Sequence, residues 1–193
     1  IDSVIHHTDL PMLDFIPCSI NSAEVEERIN RLTRNIHLFE NILNQYALEH
    51  YDYIIIDCPP YLKGLTTVAL AASDSVLIPI RAGQFSITAL KKMYSHICLV
   101  KENLNKRLVV EGILLTMFEK NTKAWGLTQN AIYSNFGSDV LETIIPKSTT
   151  ISEAEFYGKP TMLFNIKSPG SVAYLKLANE LMNKNGKAPE GVF

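Results

Sequence analysis

Alternation of short β-branched runs with longer stretches of helical periodicity predicts an α/β protein, with a mostly parallel sheet and helices on both faces. Two further observations support that class. The run Tyr53–Asp57 (YIIID) is unbroken rather than alternating, as in a strand covered on both faces of a parallel sheet. The 193 residues are 47% apolar and 20% charged, enough to bury a sizeable core and unlike a disordered or fibrous chain.

In chain order, Leu13–Pro17 (LDFIP) reads as a short strand ended by its proline. Asn21 with Glu24 fits a capping box. Val25, Ile29, Leu32, Ile36, Phe39, Leu43 and Tyr46 then recur at three- and four-residue intervals, predicting one long amphipathic helix. Such a seam also suits a coiled coil, but a single helix between two strands more often packs on a sheet. Tyr53–Asp57 is expected to be a central strand. Val76–Ile80 (VLIPI), Leu108–Met117 (LVVEGILLTM) and Val140–Ile145 (VLETII) are further strands, separated by helices near Leu62–Ala72, Phe85–Asn103 and Ala124–Phe136. Thr150 with Glu153 makes a second capping box, and Gly158 with Pro160 supplies a helix stop. Ser168 and Pro169 suit the N-cap and first turn of a final helix running to about Asn183. With no internal repeat, low-complexity tract or linker, residues 1–193 are expected to form a single α/β domain.

Eighteen Lys+Arg against 20 Asp+Glu give a formal charge of −2, so any nucleic-acid contact must rest on a local patch. Cys18, Cys58 and Cys98 are too far apart for a CxxC pair or a disulfide framework, which points to a reducing cytosol. Packing is the expected role of Cys58 and Cys98. His6-His7 is a poor metal site, since adjacent residues of an extended segment face opposite ways. No run approaches the ~18 apolar residues that span a bilayer.

The chemistry concentrates in Tyr51–Pro60 (YDYIIIDCPP). A carboxylate at the carboxyl end of a buried strand lies where open α/β sheets bind ligands, and it can hold the water shell of a phosphate-bound Mg²⁺. That is the Walker B arrangement, weak by itself and made more specific by Cys58-Pro59-Pro60. With these residues, LDFIPCSINSAEVE, LTTVALAASDSVLIPI, GILLTM, ETIIPKSTTISEAEFYGKP and SPGSVAYLKLANEL, the chain closely resembles the ParA/Soj family of partition ATPases, in the deviant Walker-A group that also holds MinD. The resemblance runs nearly end to end.

The resemblance implies a P-loop NTPase fold, ATP and Mg²⁺ as cofactors, an ATP-dependent homodimer, nonspecific DNA binding, hydrolysis stimulated by a ParB-like partner, and a nucleoid-associated cytoplasmic location. Family members begin with a strand and a glycine-rich phosphate loop bearing two lysines. No GxxxxGK[ST] occurs in this sequence, and Lys63-Gly64 and Gly158-Lys159 lack the required spacing. The expectation is therefore a C-terminal part of such an ATPase, without its first strands and inactive alone.

Residue by residue, the resemblance makes Asp57 the Walker B carboxylate, catalytic and in contact with the Mg²⁺ shell. It makes Pro59, with Pro60, part of a shaped switch loop at the nucleotide, although two prolines also simply end a strand. Thr116, Met117 and Phe118 fall on one wall of the adenine pocket and Pro146 on the other. Met117 and Phe118 fit core packing equally well. The family's DNA surface uses the loops after GILLTM and after the IIP strand, where Lys120, Lys123 and Lys147 are candidate phosphate contacts; solvated lysines are the equal alternative. Asn121 and Thr150 stand where relatives often carry Arg. MinD-like proteins end in a basic amphipathic membrane helix, whereas Asn183–Pro189 is polar and helix-breaking, so no membrane attachment by the tail is expected.

Overall fold

The computed structural model describes residues 2–18, 22–81, 84–119 and 122–186. A 3₁₀ turn (Asp2–Val4) leads into β1 (His6–His7), β2 (Asp14–Phe15), α1 (Ala23–Leu32), α2 (Leu38–His50) and α3 (Leu65–Ala72). There follow β3 (Ser75–Arg81), α4 (Gln84–Asn103), β4 (Val109–Phe118), α5 (Lys123–Phe136), β5 (Val140–Pro146), α6 (Thr149–Phe156), α7 (Thr161–Phe164) and α8 (Pro169–Lys184). They fall into two compact units, Ile1–Asp74 with His96–Leu108, and Ser75–Ser95 with Val109–Phe193.

In the first unit, the expected strand Leu13–Pro17 is reduced to β2, which pairs antiparallel with β1 through His6↔Phe15 and His7↔Asp14. Thr8 closes this hairpin, its hydroxyl donating to the Leu13 carbonyl at 2.7 Å and accepting from the Leu10 N–H at 3.1 Å. Asp14 anchors it, accepting from the Tyr51 hydroxyl at 2.7 Å and meeting His7 Nδ1 at 2.8 Å. The single long helix expected from Val25 to Tyr46 is instead α1 and α2. Thr33 turns its hydroxyl back to the Asn30 carbonyl, and the N–H groups of Arg34 and Asn35 bond three residues back. Such local side-chain bonds compete with the helical ladder and end it. Asn21 lies outside the described residues; Ser22 caps α1, accepting from the Val25 N–H at 3.2 Å. No residue of α1 is buried, so that helix does not present the expected apolar face to a sheet.

Tyr53–Asp57 departs furthest from expectation. It carries no ladder, and Ile55 is 91% exposed. A strand is made by its neighbours' hydrogen bonds as much as by its own β-branched residues, and no described segment pairs with this one. Cys58 and Cys98, expected to be packed, are both exposed. Order in this unit comes from α3, four of whose apolar residues, Val68 to Ala71, are buried, and from Asn105. The buried Asn105 amide donates to the carbonyls of Leu70 (3.0 Å) and Ser73 (2.7 Å), while its oxygen accepts from the Arg107 N–H.

The second unit holds the parallel sheet, in the order β3-β4-β5. β4 is central, and four consecutive residues, Gly112 to Leu115, are buried, as both-face coverage requires. Pro79 sits in β3, an edge strand among the described ones, where a missing N–H is tolerated. Leu114, Leu141, Ile145, Ala173 and Leu177 form a core cluster between β4, β5 and α8. Between Ile113↔Val140 and Leu115↔Ile144 the register shifts, a bulge in β5. The Glu180 carboxylate takes the N–H groups of Glu142 (2.7 Å) and Thr143 (2.9 Å) there. Gly112 faces Leu141 so closely that a Cβ would lie 2.5 Å from Leu141 Cδ2. Ser168 caps α8 with Pro169 in the first turn, as the sequence predicts, whereas α6 begins at Thr149 after Ser148 instead of at a Thr150 capping box.

Candidate nucleotide and phosphate site

Parallel strands end on one side of a sheet, and the loops that leave their carboxyl ends form the usual ligand crevice of open α/β folds. Here a cavity of about 430 Å³ is lined by Arg81 from the end of β3, Met117 and Glu119 from the end of β4, Thr122 and Ala124 at the start of α5, and Lys147 after β5. That volume lies within the roughly 300–1,000 Å³ of small-molecule sites.

The strand ends are tied together. Thr116 donates its hydroxyl to the Ile80 carbonyl at 3.3 Å, joining β4 to β3. Lys147 N–H donates to the Phe118 carbonyl at 2.9 Å, joining the β5 exit to β4. Met117 has φ 54°, the left-handed region, at a cost of about 1–2 kcal/mol for a residue with a Cβ. Strain of this kind clusters at functional sites, and Met117 is 59% exposed on the cavity wall. Phe118 packs instead on the buried Trp125, ring centroids 4.6 Å apart. Thr122 caps α5, accepting from the Trp125 N–H at 3.3 Å, and donates to the Glu119 carbonyl at 3.3 Å. Glu119 Oε1 pairs with Lys147 Nζ at 2.5 Å.

Of the residues singled out in the sequence, Met117 and Lys147 line the cavity, and Thr116, Phe118 and Pro146 lie beside it in the sheet, Phe118 registered with Pro146. Lys123 is the first residue of α5 and is exposed; Lys120 lies outside the described residues, as does Asn121. Asp57 and Pro59 belong to the other unit. Asp57 is exposed, and Pro59 is half-buried with its carbonyl accepting from the Thr66 hydroxyl at 3.2 Å, which pins the DCPP loop to α3. The Cys58 thiol is pushed up, first by desolvation and then by the Asp57 carboxylate, so it stays protonated at neutral pH. His7 pairs with Asp14, and among the described residues no group of three His, Cys, Asp or Glu is placed to hold a metal ion. Arg81, Glu119, Thr122 and Ala124 were not singled out by the sequence; position at strand ends and the Thr122 cap were the signals available for Arg81 and Thr122.

The residues present fit part of a nucleotide. Met117 and Ala124 offer apolar surface for a base, and Arg81 and Lys147 offer positive charge to an anion. In the other unit, the exposed Asp57 carboxylate is of the oxygen-donor chemistry that Mg²⁺ takes.

A parallel sheet flanked by helices, with its crevice at the strand ends, is the fold of the MinD/ParA P-loop NTPases. MinD from Pyrococcus horikoshii complexed with Mg-ADP superposes with a TM-score of 0.73 at 21% identity, over 98% of this chain and 71% of that one. Cobyrinic acid a,c-diamide synthase from Mycobacterium smegmatis with bound ATP analogue and magnesium gives 0.75 at 23%, over 97% and 70%. Residues 1–110 match the AAA_31 family, described as an AAA domain. The chromosome partitioning protein ParA of Myxococcus xanthus is 41% identical over 96% of this chain and 65% of its own length, and Soj of Bacillus subtilis is 37% identical over 92% and 70%. The chain belongs to the ParA/Soj family of partition ATPases, and it spans about two thirds of the length of these relatives.

Proposed function

We propose that the protein to which this chain belongs is a DNA-partition ATPase, with residues 1–193 part of its single α/β domain. The observation that carries this reading is identity of 34–41% to ParA and Soj proteins across more than 90% of the chain. The cavity at the ends of β3, β4 and β5 supports it. Met117, with Thr116, Phe118 and Pro146 behind it, receives the adenine, and Pro59 shapes the loop that follows Asp57. ATP would supply the phosphoryl group and Mg²⁺ would neutralise its charge, with Asp57 the residue that would hold the water shell of the metal. The 193 residues hold no GxxxxGK[ST] phosphate loop, and without one they do not hydrolyse ATP alone.

ATP joins two copies, and the dimer binds duplex DNA of any sequence through Lys120, Lys123 and Lys147 until a ParB-like partner stimulates hydrolysis. The protein then works on the nucleoid, in the cytoplasm. No described helix is long and apolar enough to cross a membrane. Because Asn121 and Thr150 replace arginines usual in the family, binding is weak and steeply salt-dependent. Titration of labelled duplex with the complete protein and ATP, at several salt concentrations, tests this. Lys147→Ala is expected to lower affinity and flatten the slope of log affinity against log salt by about 0.9 for each phosphate that is no longer neutralised. An unchanged slope removes Lys147 from the surface, and no binding by the parent at low salt refutes the DNA reading.

A further inference from the structure

Lys147 is not a solvated side chain waiting for a ligand. Its ammonium meets Glu119 Oε1 at 2.5 Å, and the two residues come from different loops, one leaving β4 and the other leaving β5. Both loops are fixed where the pair forms. Lys147 N–H donates to the Phe118 carbonyl, one residue before Glu119, and the Thr122 hydroxyl donates to the carbonyl of Glu119 itself. The carboxylate is therefore presented to the ammonium by the fold.

The side chains are 67% and 48% exposed. An ion pair this open is held weakly, and another anion can displace it at little cost. A phosphodiester offers the ammonium the same kind of oxygen acceptor, with the added gain of counterion release when the phosphate belongs to a polyanion. A free phosphate lacks that gain.

We propose that Glu119 is an internal competitor for phosphate: its carboxylate occupies Lys147 in the unbound protein and is displaced by a backbone phosphate of duplex DNA. This rests on the reading of Lys147 as a DNA contact and adds to it a residue that sets how tightly DNA is held. Glu119 limits affinity, so that binding needs several lysines at once and reverses readily.

The test uses the complete protein with ATP. Glu119→Gln, at an exposed position, keeps the shape and removes the charge. It is expected to tighten duplex DNA binding about two- to fivefold and to leave the salt slope near that of the parent, because the same phosphates are neutralised in both complexes. In a Lys147→Ala background the same substitution is expected to change nothing; a gain that persists there means that Glu119 repels DNA through space, and overturns the proposal. Acetylation of Lys147 by an N-hydroxysuccinimide ester, followed by mass spectrometry, reads the pair without DNA. Faster labelling in Glu119→Gln supports the pair, and unchanged labelling overturns it. Tighter binding of inorganic phosphate or ATP with no gain for DNA overturns the ligand named. DNA binding that Lys147→Ala weakens but Glu119→Gln leaves unchanged overturns the masking alone, whereas DNA binding absent from the parent overturns the DNA reading and this ligand with it.

Discussion

Residues 54–56 and 113–115 are both runs of three aliphatic side chains within β-branched or aliphatic stretches of the sequence, yet Ile55 is 91% exposed while Ile113 and Leu115 are 0% and 1% exposed. Composition does not separate them. Residues 113–115 lie in β4, bonded to β3 on one side and β5 on the other. Residues 54–56 have no described strand beside them. Strand propensity is a preference for a half-built pleated surface, and it is realised only where the neighbouring backbone completes that surface.

The largest effect expected from this contrast is in stability. Leu115→Ala should cost about 2–5 kcal/mol, by the transfer energy forgone and the cavity left behind, whereas Ile55→Ala in the same chain should stay within about 0.5 kcal/mol. Urea unfolding of the 193-residue chain measures both. The contrast sharpens in the complete protein: if an upstream strand pairs with residues 53–57, Ile55→Ala should rise into the range of Leu115→Ala there. Equal, large costs in the short chain would break the comparison.

A smaller effect separates the exposed run from the rest of its unit. Asn105→Ala strands the carbonyls of Leu70 and Ser73 and the Arg107 N–H. A loss of about 2 kcal/mol is expected, read from the urea midpoint, and a neutral result would mean that the first unit is not held by this clamp.

The smallest effect lies at the hairpin of the same unit. The Tyr51 hydroxyl and then His7 hold the Asp14 carboxyl below its ordinary 3.8. A depressed carboxyl stabilises the fold above its unfolded value and loses that contribution as pH falls through its lowered folded value. The difference in urea midpoint between the parent and Asp14→Asn should therefore be constant near neutrality and shrink below about pH 4. The change is modest for one hydrogen-bonded carboxylate near the surface, its side chain 24% exposed, and a difference independent of pH would remove Asp14 as the anchor.

The same contrast explains what could be read from the sequence. β3, β4 and β5 matched their apolar runs within about a residue at most ends because each of them has a described neighbour to pair with. The Ser168-Pro169 start of α8 was legible because cap chemistry is local. The break after Leu32 was not, since it turns on Thr33 choosing the Asn30 carbonyl over solvent. The β5 bulge was not, since Glu180 reaches it from 37 residues away. Met117 and Lys147 were named through family resemblance. Glu119 escaped because one acidic residue in a lysine-bearing loop carries no sequence signal until the fold sets it against Lys147.

Steady-state phosphate release from Mg²⁺-ATP, measured for the 193-residue chain and for the complete protein, tests the central claim most directly. Turnover by the complete protein, its loss in Asp57→Ala, and none by the 193 residues is the predicted result. Turnover by the short chain that disappears in Asp57→Ala would contradict it.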